Sequence, residues 1–255
     1  MTTILIPNAA IQLDDVSFAY GADPVLDGVS LAVAPGEFVA LVGPNGSGKT
    51  TLLKVLLGLA RPDRGQARIL GEPVTKLRER WRLGYVPQRP SVSADLAATV
   101  EEVVAAGLLS KGRWARRLTK HDKDEIDHAL ESVALADRRK VRLVELSGGQ
   151  QQRAFIAKAL VTRPEVVVLD EPVAGVDAES QRRFRDSLVH LVQLHRSAVL
   201  LVSHELGAVA DDLDRLLVLR HGKIIFDDTP AELRASGVSL GIHPSDLPMW
   251  LEELE

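Results

Sequence analysis

The stretch Gly43–Thr50, which reads GPNGSGKT, constrains the fold more than any other part of the sequence. It fits the pattern GxxxxGK(S/T), in which glycines let the backbone curl until its amide groups point at phosphate oxygens. Such a loop joins a strand to the N-terminus of a helix, whose dipole favours an anion. Here the apolar run Phe38–Val42 precedes it and the helical pattern Thr51–Leu59 follows it. The sequence therefore predicts an α/β fold with a phosphate loop, and a glycine-rich turn without a ligand is the minor alternative.

Lys49 and Thr50 close this loop and have the most specific predicted roles. The lysine is predicted to reach the β and γ phosphates of ATP, and the threonine hydroxyl to hold Mg²⁺. We therefore predict that the chain binds ATP and Mg²⁺. The predicted phosphate-binding set is the whole loop with the first residue of the helical pattern: Gly43, Pro44, Asn45, Gly46, Ser47, Gly48, Lys49, Thr50 and Thr51.

Two more short apolar runs end in polar residues. Glu165–Leu169 leads into Asp170, and Ala198–Val202 leads into Ser203 and His204. Alternation of such runs with helical patterns is typical of a parallel sheet flanked by helices. Because open α/β sheets bind ligands beyond the carboxyl ends of their strands, these polar residues are expected to meet the phosphate loop in one crevice.

Asp170 and Glu171 are adjacent carboxylates at the end of one of these runs. Neighbouring side chains on an extended chain point in different directions. Asp170 can thus serve the Mg²⁺ shell while Glu171 faces an attacking water as general base. Standing alone, the pair would be read as two solvated acids, but the phosphate loop favours the catalytic interpretation.

The segment Leu146–Gln150 has the spacing of a capping box, with Ser147 and Gln150 three residues apart. By itself this pattern favours a simple helix start. Two glycines leave bare amides there, so a second anion site is the alternative. The helix it opens is predicted to bury Phe155, Ile156, Ala159 and Leu160.

Between about Gln88 and Thr162 the sequence pattern is typical of helices, which indicates an inserted helical subdomain. Thr99 and Glu102 form a further capping box. Asp122 is predicted to cap a helix that buries an apolar stripe. That stripe comprises Ile126, Ala129, Leu130 and Val133.

Composition and charge limit the classes of function that this chain can have. A chain of 255 residues with 45% hydrophobic content can bury a full core, and a net charge of −4 gives no basic field for nucleic acid. The absence of cysteine excludes disulfides and fits a reducing compartment. Neither a signal peptide nor a long apolar span is visible, so we expect a cytoplasmic protein that reaches a membrane through a partner or a surface patch.

Three segments in this order and spacing, Gly43–Thr50, Leu146–Gln150 and Val166–Glu171, resemble the ATPase subunit of ABC transporters over nearly the whole chain. The resemblance implies an ABC-type P-loop NTPase: a mostly parallel sheet core, an antiparallel β N-terminal part and an inserted helical subdomain. The chain is then a single domain, 1–255. Its implied parts are a nucleotide-binding core at about 9–87 and 163–226, a helical subdomain at about 88–162 and a C-terminal appendage at about 227–255.

The resemblance also implies residue roles. It implies a head-to-tail dimer in which each copy contacts the ATP held by the other through Ser147, Gly148, Gly149 and Gln150. Catalysis is assigned to Glu171, His204, Lys49 and Gln88, and the metal to Thr50, Gln88 and Asp170. Tyr20 is implied to stack on adenine, and Asp177 to communicate across the dimer. An ordinary strand aromatic and a turn or cap residue remain open for these two.

Weaker features indicate the branch of the family. The phrases Gly148–Phe155, Ala174–Asp177 and Ser203–Val209, with the stretch Val100–Val104, are similar to the zinc and manganese uptake branch. Val173, where relatives often carry Thr or Phe, is a departure. The implied partners are integral membrane permease subunits and, indirectly, an extracytoplasmic substrate-binding protein. This places the chain on the inner face of the membrane. Another cargo, such as an iron chelate or a lipid, and an ATP-dependent clamp without transport remain alternatives.

Overall fold

The fold is described from a computed structural model, over residues 8–88, 97–111, 118–172, 178–203, 206 and 209–236. The strands are β1 (Ile11–Tyr20), β2 (Asp23–Val33), β3 (Phe38–Val42), β4 (Arg64–Ile69), β5 (Glu72–Pro73), β6 (Leu83–Val86), β7 (Val166–Asp170), β8 (Ala198–Val202), β9 (Arg215–Arg220) and β10 (Lys223–Asp228). The helices are α1 (Lys49–Leu56), α2 (Val100–Ala105), α3 (Lys120–Ser132), α4 (Gly148–Leu160), α5 (Ala178–His195) and α6 (Pro230–Ser236).

The central sheet has six strands in the order β10-β9-β3-β8-β7-β6. All neighbours pair in parallel except the hairpin of β9 and β10. The three apolar runs predicted from the sequence are thus adjacent strands, β3, β8 and β7. Their carboxyl ends lie at one edge of the sheet, as the sequence pattern predicted, and this edge positions the candidate site.

A second sheet of four strands, in the order β2-β1-β4-β5, is antiparallel throughout and confirms the predicted antiparallel N-terminal part. Arg215 of β9 links the two sheets. Its guanidinium donates to the Ala32 carbonyl at 2.8 Å, to Glu37 at 3.3 Å and to Asp227 at 2.7 Å. This partly buried cation therefore ties β9 and β10 to the end of β2.

Side chains alternate along the central strands and divide the interior into two cores. In β3, Val39 and Leu41 face the core that also contains α1 and the antiparallel sheet. Phe38, Ala40 and Val42 face the other core, which is shared with α2, α3 and α4. Because both faces are covered, the strands read as continuous apolar runs rather than as alternating ones.

The helix starts follow the predicted caps with one correction. Thr99 caps α2 and Ser147 caps α4, each in a complete capping box. The prediction that Asp122 caps α3 is wrong. Thr119 is the cap, and Asp122 is its capping-box partner: its carboxylate accepts from the Thr119 amide at 2.8 Å. Both residues are cap formers at capping-box spacing, and the structure uses the pair together.

The structure also corrects two predictions about apolar segments: where α1 ends, and which residues of α4 are buried. Helix α1 ends at Leu56 rather than Leu59, because Gly58 turns the chain with φ of 71°. In α4, Ile156 and Leu160 are buried as predicted, whereas Phe155 and Ala159 are only partly buried. The fully buried remainder of that face consists of Gln152, Ala154 and Ala157.

Candidate nucleotide-binding and hydrolysis site

The phosphate loop lies between β3 and α1 and is pressed against the β9–β10 hairpin. A Cβ atom on Gly43 would lie 2.1 Å from the carbonyl oxygen of Leu219, so only glycine fits there. The carbonyl of Ser47 accepts a hydrogen bond from the amide of Gly222 at 3.0 Å. Residues far apart in sequence therefore hold this loop in its curled form.

The Lys49 ammonium lies inside the loop and donates to the carbonyls of Gly43, at 2.6 Å, and Pro44, at 3.1 Å. The side chain is buried, and this desolvation lowers the pKa of Lys49, while Glu171 and Asp170 act to raise it. Among the described residues, this partly desolvated cation hydrogen-bonds to neutral carbonyls, so it can gain a stronger hydrogen-bond partner. A phosphate oxygen would supply one.

The loop has a buried side and an open side. Ser47 is 3% exposed, and its hydroxyl has no hydrogen-bond partner among the described residues. Asn45, Gly46 and Thr50 are exposed on the other side. Helix α1 begins at Gly48 without a side-chain cap, so its first amide groups are left for another acceptor. These features fit a bound phosphate.

Asp170 and Glu171 lie at the carboxyl end of β7. Burial raises the pKa of Asp170, the nearby Glu171 raises it further, and Lys49 opposes the change. Glu171 adopts φ of 43°, a left-handed conformation that is uncommon for a residue with a side chain. Its amide donates to the Val202 carbonyl at 2.7 Å, which helps to hold this turn. The backbone strain coincides with the predicted general base.

Gln88 contacts this carboxylate directly: its amide nitrogen donates to Glu171 at 2.5 Å. The contact arises from the sheet, because β6 and β7 run in parallel with Val86 opposite Leu169. Gln88 and Glu171 both follow these paired strand ends. The structure therefore brings together two residues that are 83 positions apart in the sequence.

Tyr20 lies at the end of β1, half exposed at 50%, with its ring 4.9 Å from that of Phe18 in an edge-to-face arrangement. Lys54 donates to the Tyr20 hydroxyl at 3.4 Å. Hydrogen bonds with Thr51 and Lys54 lower the pKa of Tyr20. Helix α1 thus contacts both the phosphate loop and this aromatic ring. Lys54 was not predicted from the sequence, although its position in the helix after the loop was an available signal.

The start of α4 is built differently. The Ser147 hydroxyl accepts from the Gln150 amide at 3.4 Å, and the Gln150 side chain accepts from the Ser147 amide at 3.1 Å. A Cβ atom on Gly148 would meet no heavy atom within 4 Å. This helix start is therefore a satisfied cap with an open approach.

Several predicted features lie wholly or partly outside the described residues: His204, Val173, the stretch Ala174–Asp177, part of Ser203–Val209 and most of the C-terminal appendage, from residue 237 onwards. Ser203, which precedes His204, is described. It is buried, and its amide lies 3.3 Å from the Leu41 carbonyl.

The family model described as ABC transporter matches residues 26–174, more than half of the chain. The chain belongs to the ABC transporter family. Among its relatives is the zinc uptake system ATP-binding protein ZurA of Listeria monocytogenes, which is 40% identical over 87% of this chain and 86% of the relative. The manganese transport system ATP-binding protein MntB of Bacillus subtilis is 39% identical over 86% of each chain.

Solved ABC transporter structures share the fold. CbiO1 of Clostridium perfringens, part of the ABC transporter complex cbiONQ, superposes with a TM-score of 0.78 at 26% identity, covering 90% of this chain and 92% of that one. As an ABC transporter subunit, this chain binds nucleotide, and its ATP hydrolysis is coupled to transport. Membership also implies a dimer and membrane permease partners.

One further polar contact in this ABC ATPase was not predicted. Gln152, the third glutamine of the run after Gly149, is buried, and its amide nitrogen lies 3.5 Å from the Pro87 carbonyl. A signal was present in the sequence: Gln152 occupies an inward position, four residues before Ile156 and eight before Leu160.

Proposed function

We propose that this chain powers the uptake of a divalent metal ion, zinc or manganese, by hydrolysing ATP bound at its phosphate loop. The observation that supports this cargo is the match to relatives named for zinc uptake and manganese transport, each over more than four-fifths of both chains. Cargo does not contact an ATPase subunit of this kind, so the site itself supports only the energy-supplying step.

The proposed hydrolysis site combines Lys49, Asp170, Glu171 and Gln88. Lys49 exchanges the carbonyls of its own loop for the β and γ phosphates. Thr50, Asp170 and Gln88 would supply the oxygen ligands that Mg²⁺ prefers, and a cation there would relieve the repulsion between the adjacent carboxylates. Bound Mg²⁺ would neutralise charge on the phosphates. Glu171 accepts a proton from the water that attacks the γ phosphate, with Gln88 orienting its carboxylate.

The second half of the site is proposed to come from another copy of the chain. Ser147 and the amides of Gly148, Gly149 and Gln150 are placed on the ATP of the partner, and Asp177 on the dimer contact. The open space around Gly148 supports this assignment. Tyr20 is proposed to stack on adenine, and His204 to contact the γ phosphate. A nucleotide-binding core, the helical subdomain at about 88–162 and a C-terminal appendage are the proposed working parts.

The membrane partners are proposed to be integral permease subunits that receive movement through the Gln88 region, together with an extracytoplasmic substrate-binding protein. No helix in the described part of the chain is both long and apolar enough to cross a bilayer. The chain is accordingly proposed to act from the cytoplasmic face of the permease, as a peripheral subunit.

Replacing Glu171 by Gln tests the catalytic assignment. The amide keeps the size and the contact with Gln88 but cannot accept the proton, so we expect kcat to fall by roughly 10² to 10⁴. Affinity for ATP should be unchanged. Steady-state phosphate release and equilibrium binding of a fluorescent ATP analogue measure the two effects.

Glu165→Gln is the matched control, because Glu165 begins the same apolar run at the opposite end of β7 and pairs with Arg82. It should keep normal turnover. Normal turnover in Glu171→Gln would contradict the assignment of the base.

The cargo is tested in a host strain that lacks the gene. Uptake of radiolabelled zinc and manganese should be restored by the wild-type gene and not by Lys49→Ala, with the exposed Lys123→Ala as a control. Undiminished uptake of both metals in the deletion strain, in the absence of other uptake systems, would refute the proposed cargo.

A further inference from the structure

Gln152 is a polar residue on the buried face of α4. It is 8% exposed and lies on the same face as Ile156 and Leu160, which are 1% and 6% exposed. Burying an amide costs free energy unless it is hydrogen-bonded, so an apolar side chain would suit this face better. A residue that departs from the local pattern in this way is a candidate for a functional role.

The amide of Gln152 is aimed at the loop that bears Gln88. Its nitrogen lies 3.5 Å from the carbonyl of Pro87, the residue that directly precedes Gln88. Gln88 in turn donates to Glu171 at 2.5 Å. Two polar contacts, joined by the peptide bond between Pro87 and Gln88, therefore lead from α4 to the proposed general base.

The same helix begins at Ser147, the start of the second proposed ATP contact. Gln152 lies five residues further along, just over one turn into α4. A shift of the helix start on engagement with the ATP of the partner would move Gln152 with it. The path therefore connects the site that this chain completes in its partner with the site that it holds itself.

The C-terminal part of α4 packs against the segment that leads through β6 to Gln88. Just beyond the end of α4, the Thr162 hydroxyl donates to the Trp81 carbonyl at 2.9 Å. Within β6, a Cβ atom on Gly84 would lie 3.1 Å from the carbonyl of Ala159, the penultimate residue of α4. The helix and the strand leading to Gln88 are thus in close contact.

We infer that Gln152 is a positioning residue that couples the two ATP sites of the dimer, by linking the start of α4 to the Gln88 loop and thereby to Glu171. The inference rests on the proposed two-copy arrangement. Coupling between sites is reciprocal, so each bound ATP favours the catalytic arrangement at the other. Positive cooperativity in ATP follows.

Gln152→Met tests the inference, because methionine has nearly the same length and volume and lacks the donor. Removing this bond should lower kcat by about five-fold, the size expected for one buried hydrogen bond. The Hill coefficient for ATP should fall towards one, while ATP affinity of the separate subunit stays unchanged. Methionine on a buried face should preserve folding. Gln152→Asn, which keeps the amide but shortens its reach, should show the same kinetic change.

Thr162→Val is the matched control. It removes a hydrogen bond between the segment that follows α4 and the segment that precedes β6, away from Gln88, and it should lower the melting temperature without changing kcat or the Hill coefficient. A Gln88→Ala background gives the second control. If Gln152 acts through Gln88, the Gln152→Met change should add little in that background.

The outcomes separate the inference from the function on which it rests. Wild-type turnover without cooperativity would reject the coupled sites and the inference with them. Cooperative wild-type turnover that Gln152→Met and Gln152→Asn leave unchanged would overturn the inference alone. So would an equal loss of kcat in Thr162→Val, or an additive loss in the Gln88→Ala background.

Discussion

Two helices of this molecule begin with glycines that can receive an anion, but their surroundings differ. The loop before α1 is enclosed by its own chain, with Gly43 packed against Leu219 and Ser47 buried. The start of α4 is exposed, and the space around Gly148 is open. Similar local chemistry therefore gives one pocket that the chain encloses by itself and one open surface, to which we assign a counterpart on another copy of the chain.

The N-caps of the two helices also differ. The N-cap of α1 is Gly48, with φ of 108°. It provides no side-chain cap, so the first amide groups of the helix have no side-chain acceptor there. Helix α4 begins at Ser147, whose hydroxyl already accepts from Gln150. The first helix start has amides that an anion could satisfy, whereas the second already has a side-chain cap. This fits a phosphate held at the first site and a contact made only on assembly at the second.

The enclosed loop predicts the largest effect. In Gly43→Ala, the new methyl group would overlap the Leu219 carbonyl, where a Cβ has only 2.1 Å, and backbone must move. We expect the free energy of unfolding to fall by about 3 kcal/mol, roughly a hundred-fold in the folding equilibrium, with loss of ATP binding. Denaturant unfolding and nucleotide titration measure both.

Gly46→Ala separates crowding from backbone strain. Gly46 has φ of 80° but nothing within 4 Å of its Cβ position, so alanine there suffers only the strain of a left-handed conformation, about 1 kcal/mol. Equal losses in the two variants would show that Gly43 is not held by Leu219.

The exposed helix start predicts a smaller effect of a different kind. Gly148→Ala places its methyl group in open space and adds a good helix former, so stability and ATP binding by one subunit should be unchanged. The methyl group obstructs close approach of the partner's phosphates, and hydrolysis should fall by roughly ten-fold, the value of a weakened hydrogen bond to a charged group. Phosphate release beside a melting curve tests this. Full activity would remove Gly148 from any contact with the partner's ATP.

The comparison also shows what sequence can predict. The runs that became β3, β7 and β8 were placed to within a residue, because strands covered on both faces are short and wholly apolar. The phosphate loop was identified because its chemistry restricts it to one pattern of glycines, lysine and threonine. Capping boxes were recognised because both partners lie within one helical turn, although at α3 this same proximity hid which residue was the cap.

Contacts that depend on tertiary packing were not accessible in this way. Nothing in the sequence near Gly43 indicates Leu219, and the bond between Gln88 and Glu171 requires the pairing of β6 with β7. The positive φ of Glu171 likewise occurs together with a hydrogen bond from its amide to β8. Local patterns therefore predicted the helices, the strands and the candidate residues. The tertiary contacts between them form only when the sheet is assembled.

The smallest effect is expected for Asp170. The direction of its stability change with pH should be opposite to that of a salt-bridged surface carboxylate. Its pKa is raised in the folded chain, mainly by burial, so the ionised form is disfavoured by folding and its contribution to stability falls as pH rises through that pKa. Without nucleotide, Asp170→Asn should therefore raise the free energy of unfolding at pH 7, by at most about 1 kcal/mol because the group is only half-buried. The gain should disappear towards about pH 4.

Glu165 has the opposite shift, because its bond with Arg82 lowers its pKa. Glu165→Gln should thus cost a little stability at pH 7 and nothing at low pH. Unfolding curves at both pH values compare the two variants, and an Asp170→Asn loss at pH 7 would contradict the view that this site is strained until ATP and Mg²⁺ bind.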